Sequence, residues 1–116
     1  MILKGMKSQI DVKVTAEVDS DLGRTIPVTF VATFRKPPVS ETREVLEQLQ
    51  SDDGVDDETL MDRFLMGWKE LRGEDGSEIP YTPEALAAVM DSREYRTALV
   101  RGLMSVLVGK RALEKN

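Results

Sequence analysis

Two runs of strict alternation, joined by a single polar turn, fix the first third of this chain. In the first run Ile10, Val12, Val14, Ala16 and Val18 alternate with Asp11, Lys13, Thr15 and Glu17. Successive side chains of a strand point to opposite faces, so this spacing predicts a strand with one face covered and one face wet. Asp19-Ser20-Asp21-Leu22-Gly23-Arg24 reads as a turn. In the second run Ile26, Val28, Phe30, Ala32 and Phe34 point one way, while Pro27, Thr29, Val31, Thr33 and Arg35 point the other. Pro27 has no N–H for a ladder, which places it near a strand start or on an edge. Together the runs predict an antiparallel hairpin over residues 10–35. A lone hairpin is marginal in water, so other elements must cover its apolar face. Residues 1–9 show no period and read as a flexible arm.

The remainder is helical in pattern. Lys36-Pro37-Pro38-Val39 ends the alternation. Ser40 is then a candidate N-cap for a helix to about Gln50, with Val45, Leu46 and Leu49 as its stripe. After a loop at 51–55, Asp56 is placed to cap a longer helix. Leu60, Met61, Phe64, Leu65, Trp68 and Leu71 recur along it at helical spacing. Residues 72–81 form an acidic loop. Thr82 and Pro83 fit the N-cap and first position of another helix, which carries Leu86, Val89 and Met90 inward. Asp91 and Glu94 have capping-box spacing and predict the start of a last helix. Strands come first and helices after, without alternation. This predicts an α+β fold: an N-terminal antiparallel β-hairpin or small sheet followed by a bundle of about four α-helices. The expectation is one domain over 10–116, with the hairpin at 10–35 and the helical part at 40–112. A third strand would come from the 1–9 arm or from another subunit.

Composition narrows what such a domain does. Its 116 residues make a small core, and aromatics are only 5% of them. Phe30, Phe34, Phe64, Trp68, Tyr81 and Tyr95 are therefore the expected structural core. A net charge of −5 argues against general affinity for nucleic acid, which needs clustered cations. The chain has neither cysteine nor histidine, so thiolate sites and the commonest general base and metal ligand are missing. No apolar run is long enough to predict a membrane span. The acidic glycine loops do not fit an EF-hand: with Gly76 or Gly54 at the invariant glycine, the ligand positions fall on Leu71 and Thr82 or on Leu49 and Leu60. Ser40, Ser77 and Ser105 lack a base, and no glycine loop matches a nucleotide fingerprint. No catalytic residue, cofactor or metal site is expected.

A binding role leaves more trace. On the last helix Leu99, Leu103, Val106 and Leu107 make one strong stripe, and Val100 and Val108 lie away from it. A helix apolar on more than one side is deeply buried or touches something beyond its own core. Met66 lies off the main apolar face of its segment. Met66, Leu99, Val100, Leu103, Leu107 and Val108 are the candidate partner-binding residues, with self-association as one way to cover them.

One passage carries a family resemblance. Gly67-Trp68-Lys69-Glu70-Leu71-Arg72-Gly73-Glu74-Asp75-Gly76-Ser77-Glu78-Ile79-Pro80-Tyr81-Thr82-Pro83 combines aromatic and acidic residues near a lone tryptophan, an Asp-Gly loop and a Pro-aromatic-Thr helix start. A last helix with a basic tail follows. In this the chain resembles the tail assembly chaperones of long-tailed bacteriophages, over about residues 26–116 and most sharply over 60–103. The resemblance implies a protein of the host bacterial cytoplasm. It would bind and solubilise the tape measure protein and help recruit tail tube subunits. It also implies a longer product made by a ribosomal slip one base backward, whose extension would meet the tail tube protein. Val108-Gly109-Lys110 and Glu114-Lys115-Asn116 both have codon spellings that permit the slip. The other expectation is a small self-assembling tail or head-tail structural protein of a phage or prophage.

Overall fold

The computed structural model describes residues 3–52 and 54–109. A three-stranded antiparallel sheet, ordered β1-β2-β3, packs against helices. Strand β1 (Gln9–Asp19) and strand β2 (Thr25–Arg35) form the hairpin, with Val14 opposite Phe30 and Val12 opposite Ala32. Helices α1 (Val39–Gln50) and α2 (Asp57–Phe64) follow, then strand β3 (Leu65–Lys69), α3 (Pro83–Met90) and α4 (Arg93–Val108). The α+β class is as the pattern predicts, but one strand sits among the helices.

The alternation decides the layers. Val14, Ala16, Phe30, Ala32 and Phe34 are buried on one face, with α4 laid against β1 and β2. The opposite face is polar. There Thr15 and Thr29 are 3.0 Å apart, Thr33 donates to Asp11 at 2.7 Å, and Lys69 pairs with Asp11 at 2.9 Å. Thr33 and Lys69 together hold the Asp11 carboxyl below its usual pKa.

The third strand comes neither from the N-terminal arm nor from another subunit. It comes from the segment whose spacing suggested one helix from Asp56 to Leu71. Asp56 does cap α2, accepting from the Thr59 N–H at 2.8 Å, but the helix stops at Phe64. The pairing then runs Phe34 opposite Leu65 and Thr33 opposite Gly67, which leaves Met66 as an extra residue in a β-bulge. A bulge breaks period two. Leu65 lies opposite the core residue Phe34 and Trp68 opposite the core residue Ala32, three positions apart. That interval matches one helical turn, and it disguised a bulged strand as a helix face.

The helix starts follow local chemistry. Thr82 accepts from the Ala85 N–H at 3.0 Å with Pro83 first in α3, as its sequence predicts. Two other starts differ. The N-cap of α1 is Pro38 rather than Ser40, because Val39 turns helical as soon as the second proline ends the extended stretch. The N-cap of α4 is Ser92 rather than Asp91, since Asp91 closes α3 with its N–H bonded to the Ala87 carbonyl.

Phe30, Phe34 and Phe64 are fully buried with Met61, Leu71, Leu99, Leu103 and Val45. Trp68 and Tyr95 are only partly buried at the margin of this core, and Tyr81 is exposed. Tyr81 therefore belongs to the surface: its ring packs edge-on against Trp68 at 4.8 Å and leaves its far side wet. The basic tail after Gly109, including the slip-permissive Glu114-Lys115-Asn116, lies outside the described residues, as do Met1 and Ile2.

Candidate functional site

A groove of about 610 Å³ runs between β1 and α4. Ile10, Asp11, Val12, Lys13, Val14 and Thr15 form its β1 wall. Ala98, Arg101, Gly102, Ser105 and Val106 form its α4 wall, and Lys36 and Gly109 also line it. Its surface is mainly apolar. Of the charged residues that line it, Asp11 and Lys13 turn their side chains to the polar face of the sheet, which leaves the cations Lys36 and Arg101, in a chain whose net charge is −5.

The groove exists because α4 comes down onto the sheet on small residues. Ala98, Gly102 and Ser105 recur at helical spacing, so they share one side of α4. At Gly102 a Cβ would lie 2.6 Å from Val14 Cγ1 and 3.3 Å from the Phe34 ring, closer than a side chain can sit. Ser105 turns its hydroxyl back to the Gly102 carbonyl at 2.6 Å, which keeps the wall low. Beyond this contact Ile10 is 37% exposed and Val12 half-buried, though both belong to the apolar side of the strand.

The outer edge of β1 is also free: among the described residues its only strand partner is β2. It runs for 11 residues without a proline or a bulge. At the other side of the sheet β3 is short and bulged, and Glu70 beyond it takes a positive φ of 65°. Such irregularities blunt an edge, whereas a long regular edge is a template for another strand.

The candidate binding residues from the sequence do not form one patch. Leu99, Leu103 and Leu107 are core: the first two are fully buried and the third nearly so, because this stripe faces the sheet and α2. They cannot be touched by a partner without opening the domain. Val100 is half-buried and Val108 is 37% exposed. With Met104 they lie four residues apart on a side of α4 that does not line the groove. Met66 is 51% exposed at the β3 bulge, across the sheet from β1. The groove residues were missed because each strand residue had a ready role in the hairpin. The readable signal was the Ala98, Gly102, Ser105 spacing, which marks close approach of a helix to something flat.

Two polar clusters elsewhere hold the frame. Glu41 accepts from Arg35 at 2.6 and 2.8 Å and from Arg63 at 3.0 Å, and both guanidiniums stack on Phe64. Arg35 first, helped by Arg63, pulls the Glu41 carboxyl down to about 2. Arg96 of α4 reaches Asp57 and Glu58 at the start of α2, and its Nε donates to the Met90 carbonyl at 2.8 Å. Among the described residues no group of His, Cys, Asp or Glu is placed to hold a metal ion, and no helix is long and apolar enough to cross a membrane.

No protein-family model, curated protein or solved structure matches this chain.

Proposed function

We propose that this protein is a non-catalytic chaperone of phage tail assembly. It binds an apolar segment of the tape measure protein in the host cytoplasm, keeps that segment soluble, and helps bring tail tube subunits to it. The observation that carries this reading is the groove: an apolar trough bounded by a free strand edge on one side and a helix on the other. An extended segment laid there gains main-chain hydrogen bonds from β1 and side-chain burial against α4, a recurrent mode of peptide capture. The cations around the trough favour a client stretch flanked by acidic residues, while the acidic remainder keeps the loaded complex dispersed. The resemblance over residues 60–103 supplies the identity of the client.

The test is co-expression with the tape measure protein, scored by the soluble fraction of the latter and by co-purification. The native chain should raise solubility. The double variant Lys36→Glu with Arg101→Glu, at two exposed positions, should lower capture about tenfold, the effect of losing roughly 1.4 kcal/mol. Val108→Asp should leave capture unchanged. If Val108→Asp abolishes capture and the double variant does not, the client lies on the Val100-Met104-Val108 side of α4. If the native chain has no effect on the tape measure protein, the chaperone reading is wrong.

The other reading, a self-assembling tail or head-tail subunit, meets a geometric obstacle in the sheet. One edge is regular and the other is bulged, so strand addition through the hairpin closes a pair rather than growing a tube.

A further inference from the structure

We propose that the free edge of β1 pairs antiparallel with β1 of a second copy of this chain, about a two-fold axis at Val12, joining two sheets into one across the groove.

The first support is the direction of the backbone groups. The Ser8 carbonyl accepts from the Lys36 N–H at 2.9 Å, and the Ser20 N–H donates to the Arg24 carbonyl at 2.7 Å. Both pairs continue the register of β1 with β2 at its two ends. Even-numbered residues of β1 therefore turn their N–H and C=O toward β2, and odd-numbered residues turn theirs outward. Asp11, Lys13 and Thr15 present these outward groups within the groove wall. Buried or not, a row of such groups favours a partner strand.

The second support is charge. A symmetric pair must oppose odd residues to odd residues, which leaves few registers centred on the groove stretch from Ile10 to Thr15. Centring on Ile10 overlaps only Gln9 to Asp11 of the strand, too short a ladder. Centring on Asp11 or on Lys13 opposes that residue to its own copy. Centring on Val14 opposes Asp11 to Glu17, and centring on Thr15 opposes Asp11 to Asp19. Among the longer overlaps only centring on Val12 avoids every like pair: Asp11 meets Lys13 of the second copy, Lys13 meets its Asp11, and Gln9 meets Thr15. Opposite charges facing across strands stabilise a sheet and like charges destabilise it.

The third support is what the same register does on the other face. It sets Ile10 against Val14 and Val12 against Val12. The half-covered Ile10 and Val12 then enter each other's groove, beside Gly102 and Val106. An edge engaged this way cannot also take a client strand, so client binding and self-pairing exclude one another.

The native chain lacks cysteine, which makes the register directly testable. Residues facing each other in a non-hydrogen-bonded antiparallel pair have Cα atoms about 4.5 Å apart. A disulfide spans roughly 4.4–6.8 Å. Under mild oxidation Val12→Cys should run entirely as a covalent dimer, and Val18→Cys, on the same face of the same strand, should stay monomeric. Light scattering of the native chain should give twice its 13.0 kDa. Lys13→Asp should halve that mass without unfolding, since it opposes Asp11 to a new carboxylate. Mixing it with the Asp11→Lys protein should restore the pair, because each chain then meets opposite charge at both positions. A native chain that stays monomeric up to about 1 mM, a concentration at which only very weak pairs escape detection, overturns the proposal. So does crosslinking at Val18→Cys in place of Val12→Cys. A dimer with no effect on the tape measure protein would sink the chaperone reading and leave this one standing.

Discussion

At the scale of single residues, Gly102 decides how close α4 lies to the sheet. Alanine there gains about 1 kcal/mol in helix propensity. Against this, the new Cβ would sit 2.6 Å from a branched methyl of buried Val14 and 3.3 Å from the Phe34 ring. Overpacking of that kind costs about 1–3 kcal/mol. Val14 is β-branched and stiff at χ1, so the clash wins. Gly102→Ala is expected to lower stability in urea titrations, and Gly102→Ala combined with Val14→Ala should recover part of the loss. Stability equal to native would mean that α4 shifts freely on β1. Trp68 poses a second question of the same kind. Its Nε1 donates to the Ile79 carbonyl at 2.8 Å, and its ring meets Tyr81 at right angles, so it pins the acidic loop to β3. Trp68→Phe should cost about 1 kcal/mol for the lost hydrogen bond. Trp68→Ala should cost about 3 kcal/mol, the low end for a large aromatic because this one is partly exposed. Equal losses for the two variants would show that the hydrogen bond, not the ring, carries the effect.

At the scale of elements, α1 is the weakly anchored piece. Val45 is its only fully buried residue, so the Glu41 carboxylate between Arg35 and Arg63 contributes much of its docking. Arg35 and Arg63 hold the Glu41 carboxyl down at about 2 in the folded state, below its ordinary value of 4.5. A depressed carboxyl contributes stability that is present above the unfolded value and lost as pH falls toward the folded one. The clamp should therefore weaken between about pH 4.5 and pH 2, and its contribution, discounted for solvent screening at a partly exposed site, is about 1 kcal/mol. Glu41→Gln should flatten that part of the pH–stability curve. An unchanged curve would remove Glu41 from the account of α1. This clamp was hidden in the sequence, because Arg35, Glu41 and Arg63 belong to different elements and no spacing links them. The hairpin was legible, since two clean alternations leave no other solution. The Thr82-Pro83 and Asp56 helix starts were legible because their chemistry is local. The bulged β3 was not: Leu65 and Trp68 sit three apart for a reason that only the pairing with Thr33 and Phe34 supplies. The groove was half legible, in the small residues Ala98, Gly102 and Ser105, while the free edge of β1 became visible only when β3 paired on the far side of β2.

At the scale of the whole molecule, burial is uneven in a way that predicts how the domain opens. Proteins open in cooperative units, and the units with little buried apolar surface open first. The centre is β2 against α4, where Phe30, Ala32, Phe34, Leu99 and Leu103 are all fully buried. The periphery is α1, with its single buried valine, and the loop from Arg72 to Glu78, which carries one isolated bridge between those two residues. Strand β1 is divided: Val14 and Ala16 belong to the centre, Val12 and Val18 are partly buried at its margin, and Ile10 lies toward solvent. Native-state hydrogen exchange should show this order. Amides of β2 and of the middle of α4 should exchange only through global unfolding, with a full dependence on denaturant. Amides of α1 should exchange through a local opening that denaturant hardly affects, and Glu41→Gln should speed them without touching β2. If α1 and β2 amides instead exchange together, the domain opens as one unit and α1 is integral to the core. The distinction matters for binding. The floor of the groove is Val14 of β1 against Ala98 and Gly102 of α4, which belong to the stable part, so its shape should persist in the free protein and a partner should meet a preformed trough. A client or a second copy then gives up little freedom in the receptor, and the cost of ordering falls mainly on the incoming strand.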